Sequence, residues 1–249
     1  MRLFITALQF LTWITVRDVE VNDDSFARSM MFYPLVGLVV GVFLTAVYLL
    51  GSMVLPAGVV AALLIAAGVM ISGGLHLDGF MDTMDGLFSG RSRERVLEIM
   101  KDSRVGAHSV IAISSLFLIK YGLYASLAGT GAVFTLLAMP MVGRWGITWG
   151  ICRYPYGRES GLGKVYGGRV GTRELVLTTV YTLAFLVVFL RLGGLVVAAV
   201  SLLAAIGFCR MVSRKLGGMT GDTYGAINEI LEVIVLLTVQ ILTLNHWLM

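Results

Sequence analysis

The chain has 249 residues, 57% of them hydrophobic and 14% charged, with 19 Lys and Arg against 15 Asp and Glu, and its mean hydropathy is +0.88. Soluble domains run at about 45–50% apolar and about 25% charged residues, so this balance excludes a disordered chain, a nucleic-acid-binding coil and an ordinary water-soluble globule. Several apolar runs approach the roughly 20 residues that a helix needs to cross a hydrocarbon core, which predicts an all-α, polytopic integral-membrane bundle in one domain, 1–249, with the lipid bilayer as its constant partner. Cys152 and Cys209 form neither a disulfide framework nor a CxxC metal motif.

In chain order, Leu3–Val16 is apolar but short, an interfacial helix or a short span, and no small-residue cleavage site follows it. Arg17–Ser29 is polar. Spans are expected at Met31–Val54, Ala57–Leu77, Val105–Leu127, Gly131–Cys152, Glu174–Leu190, Gly193–Val212 and Gly225–Leu248, seven in all. Alternating them puts Arg17–Ser29, Asp78–Arg104, Arg153–Arg173 and Ser213–Tyr224 on one side with nearly all the cations, while Arg191 is the one loop cation opposite. The positive-inside rule places the basic side in the cytoplasm. No Asp or Glu falls on the other side, a distribution that favours an enzyme at the inner surface over a transporter with a pathway to both faces.

The most informative segment is Gly73–Gly86, GGLHLDGFMDTMDG. Asp78, Asp82 and Asp85 are spaced i, i+4, i+7 and fall within an arc of about 60° on one helical face. Three carboxylates so placed repel one another, and a hard divalent cation such as Mg²⁺, shared with substrate phosphates, relieves the repulsion. The alternative is a solvated helix end whose acids happen to align. His76 points away from Asp78, towards either a phosphate or a neighbouring helix. The spacing alone also suits a membrane CDP-alcohol phosphotransferase, an intramembrane prenyltransferase or, outside enzymes, a Mg²⁺ transporter.

His76-Leu77-Asp78-Gly79, Asp82 and Asp85-Gly86 together resemble the signature of the cobalamin-5′-phosphate synthase family, the adenosylcobinamide-GDP ribazoletransferases. Ile99–Gly106, IMKDSRVG, resembles that family's IMKDSRxG segment, Gly217–Ala226, GGMTGDTYGA, its GGxTGDxxGA segment, and Arg158–Gly163 is a looser echo. The resemblance covers nearly the whole chain in motif order. The CDP-alcohol motif fits less well, because no Ala-Arg follows Asp78-Gly79 and Asp82 and Asp85 are three apart rather than four.

The resemblance implies a Mg²⁺-dependent transfer at the cytoplasmic membrane. Adenosylcobinamide-GDP is joined to α-ribazole or its 5′-phosphate and GMP is released, late in vitamin B12 biosynthesis. Asp78, Asp82 and Asp85 are then expected to hold the metal, with Asp82 and Asp85 catalytic and Asp85 the choice for proton acceptor. Lys101 and Arg104, at the entry to a span, are expected on phosphate, with membrane anchoring the plain alternative. Arg144, inside a span, is expected to pair with an aspartate or with the leaving GMP, or else to sit in a structural ion pair. Asp222, Asn228 and Glu229, beside a Gly-rich turn, are expected on a substrate edge, and Lys164 in its Gly-rich loop on phosphate. Lys120 is read as snorkelling to the outer interface and is left out of the site. His246 and Trp247 look interfacial. No nucleic-acid partner is expected, and a homo-oligomer is left open.

Overall fold

The computed structural model describes residues 1–245, apart from the side chain of Thr130. Among these residues ten α-helices occur: α1 Arg2–Leu11, α2 Asp23–Ser29, α3 Tyr33–Ser52, α4 Ala57–Ser72, α5 Leu75–Phe88, α6 Arg93–Ile99, α7 Ala107–Ala125, α8 Gly129–Arg153, α9 Thr172–Leu216 and α10 Gly221–Leu244. No strand occurs among them, only an isolated bridge between Tyr156 and Met219. The expected all-α membrane bundle is the fold observed. Four helical runs, Asp23–Ser52, α7, α9 and α10, are each long and apolar enough to cross a membrane, and the bent pair α4–α5 brings the number to five.

Two breaks adjust the expected spans. The third span does not continue into the aspartate segment. Gly73 and Gly74 both take positive φ, 60° and 73°, a conformation that only glycine adopts cheaply, and α5 leaves α4 at 96°. The DxxxDxxD face therefore sits on its own helix, turned away from the axis of α4. The second break is at Arg191 (φ 53°, ψ −131°), inside α9. There the chain doubles back so tightly that a side chain on Gly194 would collide with the Leu186 carbonyl. The two expected spans are thus arms of one helical hairpin, and the second arm runs on to Leu216. The last span starts four residues early, at Gly221, and is described to Leu244; the remainder of the expected span, with His246 and Trp247, lies outside the described residues. At ten residues, about 15 Å of helix, α1 is too short to span.

The bundle is organised around α10, whose apolar window is 61% buried against 22–33% for the other three apolar runs. It packs against α5, α8 and α9. On its other flank α8 meets α3 at backbone distance. A Cβ on Gly41 would lie 2.7 Å from the Leu136 carbonyl oxygen, and one on Gly37 would strike the Pro140 carbonyl. This is the small-residue packing that joins helices where lipid removes the hydrophobic drive between them. Outward faces remain apolar, with Val42, Leu118, Val188 and Leu203 exposed as lipid contact requires.

The crossing between α5 and α10 is also a contact of backbones. A Cβ on Gly79 would lie 2.7 Å from the Asp222 carbonyl oxygen and 2.9 Å from its Cα, and one on Gly225 would lie 2.8 Å from the His76 carbonyl oxygen. Every one of these neighbours is backbone and cannot yield by a rotamer change. Gly225→Val is expected to cost at least about 1–3 kcal/mol of stability and to lower activity about tenfold or more by displacing Asp222. Gly122→Ala, on an open face of α7, should leave both unchanged. Thermal melting in detergent, paired with an activity assay, checks both variants.

Candidate functional site

The α5–α10 crossing brings Asp222, in the first turn of α10, against the aspartate face of α5. Asp78 is exposed, and Asp82 and Asp85 are half-buried. A third element closes the group. Gly157 N–H donates to the Met219 carbonyl (2.7 Å) and Met219 N–H to the Pro155 carbonyl (2.8 Å), stitching the loop after α8 to the entry of α10. Arg93 adds hydrogen bonds to the Leu216 and Gly157 carbonyls at 2.7 and 3.0 Å. So held, the loop delivers Arg158, which pairs with Asp222 at 2.6 Å. Its Nε is buried with no partner among the described residues.

The electrostatics of this group are unbalanced. Burial first, then Asp222 and Asp78, raise the Asp82 carboxyl from the usual range to about 7, with Arg158 opposing and Asp85 adding a smaller push. Asp85 behaves differently. Its two oxygens accept from the Gly106 N–H (2.8 Å) and the Ser109 N–H (2.9 Å) at the start of α7. Although burial works against it, the hydrogen bonds from Ser109 and Gly106 hold its carboxyl below the usual range. Asp85 thus fixes the 101–106 loop to the end of α5, and a carboxylate tied to two amides is a weaker base than a free one.

Other expected residues fall elsewhere. Arg104 closes on Asp102 (2.6 Å) with an 87% exposed side chain, and Lys101 is exposed beside it. Lys164 donates to the Glu159 carbonyl at 2.9 Å, in solvent. None of these cations pairs with Asp78, Asp82 or Asp222.

Arg144, Asn228 and Glu229 lie in a second, buried group with Lys120 at its centre. Lys120 Nζ reaches Glu229 at 2.6 Å and Glu232 at 2.7 Å, Arg144 lies 3.7 Å from Glu232 and donates to the Pro140 carbonyl, and Asn228 donates to Glu232. Lys120 is only 7% exposed. This overturns the snorkelling reading: the lysine points inward because two carboxylates on the facing helix satisfy it at lower cost than a journey to the interface. Among its alternatives, Arg144 takes the structural ion pair. His76 is buried between the two groups, its backbone against Gly225, and lines both a cavity of about 30 Å³ beside Lys120 and a cleft of about 200 Å³ on the Asp78 side. Neither Lys120 nor Glu232 was legible as a pair, because they are more than a hundred residues apart; Arg158 was visible only as part of a weak echo.

Among the described residues no three acid, His or Cys side chains converge as a ready-made metal site. Yet the donor set suits a hard cation: Asp78, Asp82 and Asp222 supply only oxygens and have one guanidinium to balance them.

Comparison with known proteins identifies the family. The cobalamin-5-phosphate synthase family matches residues 3–240. A Brevibacillus brevis protein is 39% identical over 255 residues, covering 100% of both chains. One from Alkaliphilus metalliredigens is 37% identical, over 98% of this chain and 96% of its own. One from Desulfitobacterium hafniense is 40% identical, over 95% and 96%. All three are named adenosylcobinamide-GDP ribazoletransferase. No solved structure matches the chain.

Two measurements test these assignments. Lys120→Met strands two buried carboxylates and should destabilise the protein by about 3–5 kcal/mol; adding Glu229→Gln should recover part of the loss, read as melting temperature in detergent. At the acid group, the raised Asp82 carboxyl means that its ionised form is disfavoured in the folded state. The metal-free protein should therefore lose stability as pH rises from about 4 through about 7. Asp82→Asn should raise the melting temperature at pH 8 and change it little at pH 4.

Proposed function

The chain belongs to the cobalamin-5-phosphate synthase family, and from that membership we propose that it joins adenosylcobinamide-GDP to ribazole or ribazole 5′-phosphate, with release of GMP, at the site where α5 and α10 cross. It is a transferase, and its activity is the cobalamin synthase activity that the names of its full-length relatives describe. The observation that carries the assignment to this site is the meeting of Asp78, Asp82 and Asp222 beside Arg158: three of the four segments that resemble or echo the family's motifs bring their charged side chains together here.

The chemistry asked of the site is substitution at a phosphorus. A ribose hydroxyl oxygen forms a bond to the phosphorus next to cobinamide, the bond from that phosphorus to the bridging oxygen breaks, and GMP leaves with the bond's electrons. Such reactions depend on positioning and on neutralising phosphate charge more than on covalent help from the protein. Arg158 has a free Nε for a phosphate oxygen, and its grip on Asp222 holds it at the acid group. Asp78, exposed and lining the cleft, is the carboxylate open to an incoming hydroxyl and takes its proton. Lys101, Arg104 and Lys164 raise the local concentration of an anionic substrate at the approach.

Mg²⁺ fits as cofactor: Asp82 and Asp222, with Asp78 beside them, would hold it, and it would supply the positive charge that the pyrophosphate and these acids lack. The site opens to the cytoplasm on this reading, because the loops around it carry nearly all the cations of the chain, and the protein resides in the cytoplasmic membrane.

The test uses detergent-purified protein with adenosylcobinamide-GDP, ribazole 5′-phosphate and Mg²⁺, following GMP and the corrinoid product by mass. Wild type should form product only with Mg²⁺, Asp82→Asn should lose at least about a hundredfold in rate, and Arg158→Lys should lose less than Arg158→Ala. Turnover of a CDP-alcohol or prenyl diphosphate with none of the corrinoid, or full activity in Asp82→Asn, would sink the assignment.

A further inference from the structure

We propose that the crevice between α8 and the two arms of α9 binds an anionic phospholipid from the leaflet beside the basic loops, its ester carbonyls against a buried indole and two buried hydroxyls and its phosphate at Arg153. The site is separate from the acid group, and the proposed reaction can fail without touching it. The crevice has a volume of about 210 Å³, and its lining reaches the surface at Leu183 and Ala199, one on each arm. A single water needs only about 10–15 Å³ of such space. The medium at its mouth is hydrocarbon, because the arms on either side present Val180, Val188 and Leu203, each at least 60% exposed, as a lipid-facing surface.

The polar atoms in the walls point to the occupant. Trp149 Nε1, Thr182 Oγ1 and Ser201 Oγ belong to residues that line the crevice, and all three atoms are buried with no hydrogen-bond partner among the described residues. Thr182 is 4% exposed and Ser201 1%. A hydroxyl in a spanning helix can return to the carbonyl four residues back, as Ser115 does to Ile111, Thr135 to Gly131 and Thr238 to Ile234. Thr182 and Ser201 do not. The indoles show the same contrast. Trp145 Nε1 donates to Thr179 at 2.9 Å, whereas Trp149, with its ring 5.7 Å from that of Trp145, donates to nothing. Buried polar groups are nearly always paired, and a bilayer core holds no water to pair them. An indole N–H can only donate, so the missing partner carries an acceptor. The ester carbonyls of a phospholipid are such acceptors, carried on hydrocarbon chains that suit the remaining walls of Val142, Leu186 and Leu202.

Charge at the end of the crevice selects the headgroup. The Arg153 guanidinium lies over the Trp149 ring, 5.7 Å from its centroid, one turn further along at the end of α8. One turn is about 5.4 Å, within the reach of the glycerol backbone that joins an ester to its phosphate. Arg210, on the second arm of α9, sits beside Tyr154, so two guanidiniums stand at this end. Neither enters an ion pair among the described residues. Glu174, the acid at the start of the first arm, is engaged by the Gly171 N–H at 2.9 Å. Free guanidiniums at a membrane surface attract anionic headgroups, and their planar fork matches a phosphate.

Trp149 itself reports occupancy. The full-length protein would be reconstituted into dioleoyl phosphatidylcholine vesicles containing rising fractions of phosphatidylglycerol or phosphatidylcholine brominated on the acyl chains, which quench nearby tryptophans. Subtracting the signal of Trp149→Phe isolates Trp149. Half-maximal quenching should need about fivefold less brominated phosphatidylglycerol than phosphatidylcholine, the scale of one arginine beside an anionic lipid. Arg153→Gln, at an exposed position, should bring the two lipids together. Thr182→Val, which keeps the shape and removes the hydroxyl, should weaken quenching by both about two- to tenfold, the scale of one hydrogen bond. Equal quenching of wild type by the two lipids would mean ordinary boundary lipid and overturn the proposal. So would a phosphatidylglycerol preference that survives Arg153→Gln and Thr182→Val, which would put the lipid elsewhere. A Trp149 that neither lipid quenches would also overturn it, as an empty crevice or one covered by a second copy of the chain.

Discussion

Everything at the site depends on two backbones touching. Gly79 and Gly225 let α5 and α10 cross with no side chain between them, and the consequence is electrostatic: Asp222 arrives among the aspartates of α5 rather than a side-chain layer away. Were either glycine replaced by a larger residue, the acids would separate, their mutual repulsion would fall, and the site would lose the charge density that makes a cation and a phosphate welcome. The same contact requires α5 to leave the axis of α4, so the turn at Gly73–Gly74 belongs to the same constraint.

The chain handles buried charge in two opposite ways, about two to three helical turns apart along α10. Towards the centre of the bundle Glu229 and Glu232 face Lys120 and Arg144, two anions against two cations, and the group is neutral. Neutral groups of this kind persist in a membrane because no member can leave without stranding another. Near the start of the same helix Asp222 has only Arg158, while Asp78 and Asp82 stand beside it, and the group carries net negative charge. The balanced cluster ties α7, α8 and α10 together; the unbalanced one is left able to bind. His76 lies between them, lining a cavity on either side, and so forms part of the wall that separates the two.

The loops are positioned as carefully as the helices. Asp85 spends its carboxylate on the first amides of α7, and Arg93 spends its guanidinium on the carbonyls of Leu216 and Gly157. Both charged groups are spent on backbone, and each holds a loop in place: the 101–106 loop with its cations, and the 154–171 loop with Arg158. A pattern of three aspartates on one helical face therefore divides into two that face the site and one that braces it.

Much of this was readable along the chain. The apolar runs and the one-sided cations required a polytopic helical bundle, since hydrocarbon admits few other ways of satisfying a backbone. The spacing of Asp78, Asp82 and Asp85 required a shared helical face, and the Gly-rich motifs marked the places where chain segments approach closely. These are local properties, set by residues within one or two turns of each other. The break that frees α5 from α4, the turning of Asp85 towards Gly106 and Ser109, the capture of Lys120 by Glu229 and Glu232, and the delivery of Arg158 to Asp222 were decided by tertiary structure alone. Each joins residues between about 20 and 110 positions apart, or depends on what packs against a helix rather than on the helix itself, and a carboxylate's role follows from whichever partner lies opposite it.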